Sequence, residues 1–217
     1  WEGNAYPTIQ IGERVWTAVN LRATRYADGS PIPWVKSEEE WSQLEPDTRA
    51  YCYYENQAED SDPYGVIYTW SAAVNGTAGT AELGGEVQGV CPDGWHLPGD
   101  EDWKQLEIAL GMTELTASED GWRGWDEGGM LKIPGTEFWN EPNEMATNET
   151  GFGAVAAGKR DATGAYSERG NYTVFWSATE VGEDAAWVRG LHTLRGEIRR
   201  VTEQRMEGYS VRCIMNE

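Results

Sequence analysis

Between Gly111 and Tyr172 the chain carries about sixty residues, dense in Gly, Trp, Asn and acids, whose apolar side chains recur at neither the helical nor the strand period. A stretch of that kind cannot bury its own backbone, so it needs a frame, and the flanking segments supply one. Upstream, Pro98-Gly99-Asp100-Glu101-Asp102 puts three carboxylates in a first helical turn, where the helix dipole favours them, and Trp103, Leu106 and Leu110 line one face. Downstream, Tyr172 to Ala178, Ala185 to Leu191, Ile198 to Thr202 and Tyr209 to Ile214 are short aromatic or β-branched runs parted by turns or acidic patches, the pattern of antiparallel strands.

The first ninety residues follow the same grammar. Ile9 and Ile11, then Arg14 to Val19 across Gly12-Glu13, read as a hairpin. Ser37 with Glu40 three residues on reads as a capping box opening a helix through Trp41 and Leu44. Ala50 to Tyr54 reads as a strand, Tyr64 to Val74 as a helix with Val66, Ile67, Trp70 and Val74 on one side, and Gly76 to Gly89 as a flexible insertion. The expectation is an α+β fold, short helices around twisted antiparallel sheets with long irregular loops. It forms one domain over residues 1–217, with a hairpin-and-helix part (1–90) and a helix, long-loop and strand part (91–217).

Charge narrows the function. With 37 acidic against 17 basic residues the net charge is −20, so nucleic acid and anionic lipid surfaces are repelled and cations attracted. No apolar run reaches the length of a membrane span. The chain opens at Trp1 without a basic start and apolar run, so a signal peptide is expected to have been removed. Lys36, Lys104, Lys132 and Lys159 are the only lysines; the other basic residues are arginines, which hold fixed carboxylate geometry better and are expected in structural ion pairs. Of Cys52, Cys91 and Cys213, the pairing of Cys91 with Cys213 is favoured; it would close a loop of roughly 120 residues, worth about 4–5 kcal/mol in the chain-entropy picture. Three reduced, buried thiols are the alternative.

Several segments carry a resemblance. They run from Ile9-Gln10-Ile11-Gly12 through Ala50-Tyr51-Cys52-Tyr53-Tyr54, Cys91-Pro92-Asp93-Gly94-Trp95-His96-Leu97-Pro98 and Gly129-Met130-Leu131-Lys132 to Phe175-Trp176-Ser177-Ala178-Thr179-Glu180 and Gly208-Tyr209-Ser210-Val211-Arg212-Cys213. In order and over nearly the whole chain, these resemble the Fibrobacter succinogenes major paralogous domain family. The resemblance implies a bacterial envelope or secreted domain, extracellular or at the cell surface, related in fold to C-type-lectin-like domains and to formylglycine-generating enzymes. Gly76 to Gly89 and Leu115 to Glu127 look like insertions on that pattern.

An enzyme is not expected. His96 and His192 are the only histidines, and neither has a CxxC, HExxH or GxSxG companion. Cys213 stands alone where formylglycine-generating relatives carry a redox pair near the chain end. The sharper expectation is recognition. Trp122, Trp125 and Trp139 stand in stretches rich in Gly and acids, outside the patterned elements, and Tyr166 and Tyr172 sit at the second loop, Ala162 to Asn171; exposed, they would form a platform for sugar rings or a hot spot for a protein. Glu141-Pro142-Asn143 with Asn148-Glu149 supplies oxygens of the kind calcium (Ca2+) takes, and Glu-Pro-Asn resembles the tripeptide by which sugar-binding C-type lectins hold Ca2+ and a diol, usually across a cis proline. Glu55 to Asp62 is a second acidic candidate. The chain is thus expected to bind a glycan or surface protein through the loops Leu115 to Asn148 and Ala162 to Asn171, or alternatively to self-associate as a structural subunit of an extracellular filament or envelope assembly.

Overall fold

The computed structural model describes residues 1–76 and 86–217, so most of the expected Gly76 to Gly89 insertion lies outside the described residues. The opening hairpin forms as β1 (Thr8–Ile11) and β2 (Arg14–Thr17). Ser37 caps α1 (Glu38–Trp41), its hydroxyl accepting the Glu40 N–H at 3.1 Å. After β3 (Tyr51–Cys52) the expected helix from Tyr64 to Val74 is broken into α2 (Ser61–Tyr64), β4 (Ile67–Tyr68) and α3 (Trp70–Ala73). Gly65 is the reason. Its φ is 84°, and a Cβ there would lie 2.4 Å from that of Asn20, so the backbone swerves past a distant segment while Val66 N–H donates to the Leu21 carbonyl. Thr69 then caps α3 afresh.

The second part begins with β5 (Trp95–His96) and α4 (Asp100–Ala109). The stretch without periodicity is partly regular: α5 (Glu114–Ser118), β6 (Gly121–Arg123), α6 (Glu127–Leu131), β7 (Ala157–Arg160) and β8 (Tyr166–Arg169) punctuate it. The closing strands are β9 (Tyr172–Val181), β10 (Ala185–His192), β11 (Ile198–Gln204) and a short β12 (Ile214–Met215). Tyr209 and Ser210 make isolated bridges, to Tyr68 and Phe175. Beyond them Arg212 turns inward, fully buried, and donates to the carbonyls of Thr17, Phe152 and Gly153 and to Asn20 Oδ1.

Two larger sheets result, ordered β1-β2-β12-β5 and β6-β11-β10-β9-β7-β8, with β3-β4 as a third pair; the strand pairs are antiparallel except β7 with β9. The last strand therefore sits between β2 and β5, and the Cys91–Cys213 disulfide, Cα atoms 5.9 Å apart, fastens it there. Cys52 is free and buried, its thiol pushed up to about 11 by burial. The six-stranded sheet is covered on both sides. Tyr172, Val174 and Trp176 of β9 enter one core cluster with Val188 and Trp70, while Phe175 enters a second with Trp16, Trp103 and Ile198.

The second face is also where the arginines act. Asp100 and Glu107 lie two turns apart on α4, on the face of Trp103, and both are buried. Arg189 of β10 bridges them, at 2.6 Å to Glu107 and 2.9 Å to Asp100. Arg123 of β6 donates to Glu107's other oxygen, and Arg200 of β11 meets both oxygens of Asp100 at 2.9 and 2.8 Å. One helix is thereby bolted to three strands by fully formed charge-assisted hydrogen bonds.

Glu107→Ala would leave Arg123 and Arg189 buried without the carboxylate they share, and urea unfolding should show a loss of about 3–5 kcal/mol. Acid should strain the same network. Burial raises the Asp100 pKa, but hydrogen bonds from Arg200 and the charges of Arg189 and Arg200 outweigh it and hold the carboxyl well below the usual range. A carboxyl depressed in the folded state contributes stability that is complete above its unfolded pKa of about 4 and is lost as pH falls through the lower folded value. Melting temperature should therefore drop as pH falls below about 4, and Asp100→Asn, less stable at neutral pH, should show a flatter acid limb.

Candidate functional site

The sheet alternation that points Arg123 into the ionic network puts its neighbour Trp122 on the opposite face, at the end where β9 begins and β10 finishes. There Trp122 pairs across from Arg199, Arg199 from Gly190, and Tyr172 from His192. Gly190 has a purpose in this row: a Cβ would stand 2.1 Å from the Tyr172 hydroxyl, so the ring lies where a side chain would have been. Arg199 donates to that hydroxyl at 3.2 Å. His192 lies 5.7 Å from the Tyr172 ring and 6.3 Å from Trp122, and the Arg195 guanidinium sits 5.0 Å over Trp122. Leu194 N–H donates to His192 Nδ1 at 3.0 Å, which fixes that nitrogen as an acceptor. Burial lowers the His192 pKa; Glu168 opposes this, and Lys132 and Arg195 reinforce it.

Around this aromatic row three apolar side chains stand in solvent: Trp125 is 71% exposed, Leu194 61% and Met145 39%. Their segments converge at the turn after β10. A Cβ on Gly196 would lie 2.6 Å from both the Met145 sulfur and the Trp125 carbonyl, and Leu194 is two residues earlier on that turn. Glu144 N–H donates to the Thr193 carbonyl at 2.7 Å, and Asn143 N–H to the Thr193 hydroxyl at 3.2 Å, so the long loop is stitched to the same turn. Beneath lies Lys132, fully buried, its ammonium donating to the carbonyls of Glu144, His192 and Arg195. Burial lowers its pKa to about 8, opposed by Glu144 and Glu197, and the three carbonyl acceptors match the three N–H groups of the ammonium form.

A shallow cleft of about 370 Å³ adjoins the rim, lined by Gly135, Thr136, Glu141, Pro142 and Asn143. The Glu141–Pro142 peptide is cis. Asn143 is buried; its Nδ2 donates to the carbonyls of Ile133 and Gly135 at 2.9 and 3.0 Å, while its Oδ1 has no hydrogen-bond partner among the described residues.

The residues singled out from the sequence divide accordingly. Trp122 and Tyr172 belong to the aromatic row, Trp122 half-buried and Tyr172 largely covered, and Trp125 to the exposed rim. Trp139 is a correction: at 1% exposure it is a core residue, its indole N–H donating to the Ala154 carbonyl, so it offers no platform. Tyr166 is half-buried elsewhere, against Tyr54 and the Arg160 guanidinium. The four candidate calcium ligands do not form a cage. Glu141 and Asn143 share the cleft, but Asn148 Oδ1 accepts the Gly153 N–H at 2.8 Å and shapes a turn, and Glu149 is exposed outside the cleft lining. Glu141 and Asn143 together bring three side-chain oxygens to the cleft, and no three His, Cys, Asp or Glu side chains cluster as metal ligands among the described residues. In the Glu55 to Asp62 run, Asp60 pairs with Arg169 at 2.7 Å and Asp62 with Arg22 at 2.8 Å, so part of its charge is already met. His96 is buried against Asn216 at 2.9 Å.

Sequence reasoning missed Leu194, Met145 and Lys132. An isolated Leu in the polar run His192-Thr193-Leu194-Arg195-Gly196 was the one available signal.

The two loop tryptophans on which the readings diverge should separate cleanly. Trp139→Ala should lower unfolding free energy by about 3–5 kcal/mol, whereas Trp125→Ala should change it by less than about 0.5 kcal/mol in the same denaturant titration.

A family model described as the Fibrobacter succinogenes major domain matches residues 9–215 of the chain. No curated protein and no solved structure matches it.

Proposed function

We propose that this chain, which belongs to the Fibrobacter succinogenes major domain family, is a secreted or cell-surface recognition domain that binds a glycan or protein through the rim of Trp125, Leu194 and Met145 and the aromatic row behind it. One observation carries the reading: three large apolar residues, on segments whose backbones converge at one turn, are exposed on a chain whose charge is −20. Such patches on otherwise polar surfaces are kept where a ligand covers them. Trp122, Arg195 and His192 add stacking faces and donors, backed by the buried Tyr172, and Glu141 in the adjoining cleft adds an acceptor, the mixture that suits sugar rings or a protein hot spot.

The C-type-lectin-like reading of the frame is part of the same proposal. It is supported by the last strand lying beside the opening hairpin, by the cystine that fastens it and by a long loop emerging between framed segments. The cystine also supports an oxidising location.

A glycan array probed with the wild-type chain and with a Trp125→Ala/Leu194→Ser variant, alongside sedimentation of both, tests the reading. Binding by the wild type that weakens at least tenfold in the variant, with unchanged melting, is the expected result; a change in self-association confined to the wild type would instead assign the rim to contacts between copies. Undiminished binding by the variant would place recognition elsewhere.

A further inference from the structure

Lys132 leaves α6 with its side chain fully buried under the rim, and its Nζ donates to the carbonyls of Glu144 at 2.8 Å, His192 at 3.0 Å and Arg195 at 2.8 Å. An ammonium has three N–H donors, and here each has an acceptor. The acceptors come from positions 12, 60 and 63 residues further along the chain. Glu144 precedes Met145, and His192 and Arg195 bracket Leu194, so the segments held are those that present the rim. The Trp139 ring lies 5.3 Å from Nζ and closes the chamber. The carboxylates of Glu144 and Glu197 supply countercharge.

Collecting backbone carbonyls from separate loop segments around one positive centre is the work a bound metal ion performs in irregular loops. We infer that Lys132 is the built-in cation of this loop: its ammonium, and not a metal ion, sets the position of the Met145 and Leu194 segments. Two further observations agree. The candidate calcium ligands of the loop are dispersed or already engaged, as Asn148 is with Gly153, and a second cation beside a buried ammonium would be repelled. Lys132 thus acts as a positioning residue whose effect reaches the surface through three carbonyls, whatever the rim binds.

The test uses the whole chain. Amide hydrogen exchange should show the N–H groups of Glu144 and Thr193 protected equally with and without EDTA, and unaltered by added calcium. Lys132→Met, nearly isosteric but uncharged, should lower protection of those two amides at least tenfold while those of β9 and β10 away from their ends keep theirs. Independently of whether that variant folds, nitrogen-15 labelling of lysine in the wild type should reveal one slowly exchanging ammonium resonance at neutral pH. Loss of Glu144 and Thr193 protection on adding EDTA, with recovery in calcium, would assign the loop to a metal ion and overturn the inference; so would unchanged protection in Lys132→Met, or the absence of a protected ammonium signal.

Discussion

The structure hangs on the buried carboxylates of α4. Asp100 and Glu107 occupy one helical face and are met by Arg189, Arg200 and Arg123 from three neighbouring strands, so the helix and the six-stranded sheet have one mutual position. Packing alone would let Trp103 and Leu106 slide against the sheet; bidentate guanidinium geometry does not, because each arm must reach a defined oxygen. The network also sets what happens on the far side. Arg123 is drawn inward, and strand alternation then obliges Trp122 to face the other way, beside Tyr172 and His192. A buried interaction on one face of the sheet thereby determines the aromatic row on the other.

The frame was readable in the sequence wherever a local pattern and its tertiary use coincide. Asp100, Trp103 and Leu106 give α4, Ser37 gives the cap of α1, and the run from Tyr172 to Ala178 carries no charge and is buried throughout because both faces of β9 are covered. Errors arose where a distant contact decides. The spacing of Val66, Ile67, Trp70 and Val74 fits a helix, yet the approach of Gly65 to Asn20, 45 positions earlier, forces a swerve that no window around residue 65 contains. Trp139 has one apolar neighbour in sequence, Phe138, and finds its core among Phe152, Ala154 and other residues of distant segments.

The site was less legible, for a related reason. Trp122, Trp125 and Tyr172 stood out by residue type, whereas Met145 and Leu194 are single apolar residues in polar turns with no periodicity to mark them. Lys132 defies the usual expectation most directly, since lysine is seldom fully buried and three carbonyls from remote segments are what make it tolerable here. Of the side chains suited to a metal, two are engaged by the backbone: Asn148 serves a turn, and Asn143 braces the carbonyls of Ile133 and Gly135. Acid content alone does not create a cage; convergence does.

The cystine has a consequence of a different kind. Because Cys91 and Cys213 are joined, the polypeptide between them is a covalent ring, and every residue of the rim and of the aromatic row belongs to it. A proteinase that cuts one exposed bond, for instance after Leu194, opens the ring without releasing a fragment, and both halves stay tethered through β12 and the segment before β5. Damage that would release a fragment from an uncrosslinked chain leaves this one nicked but in one piece.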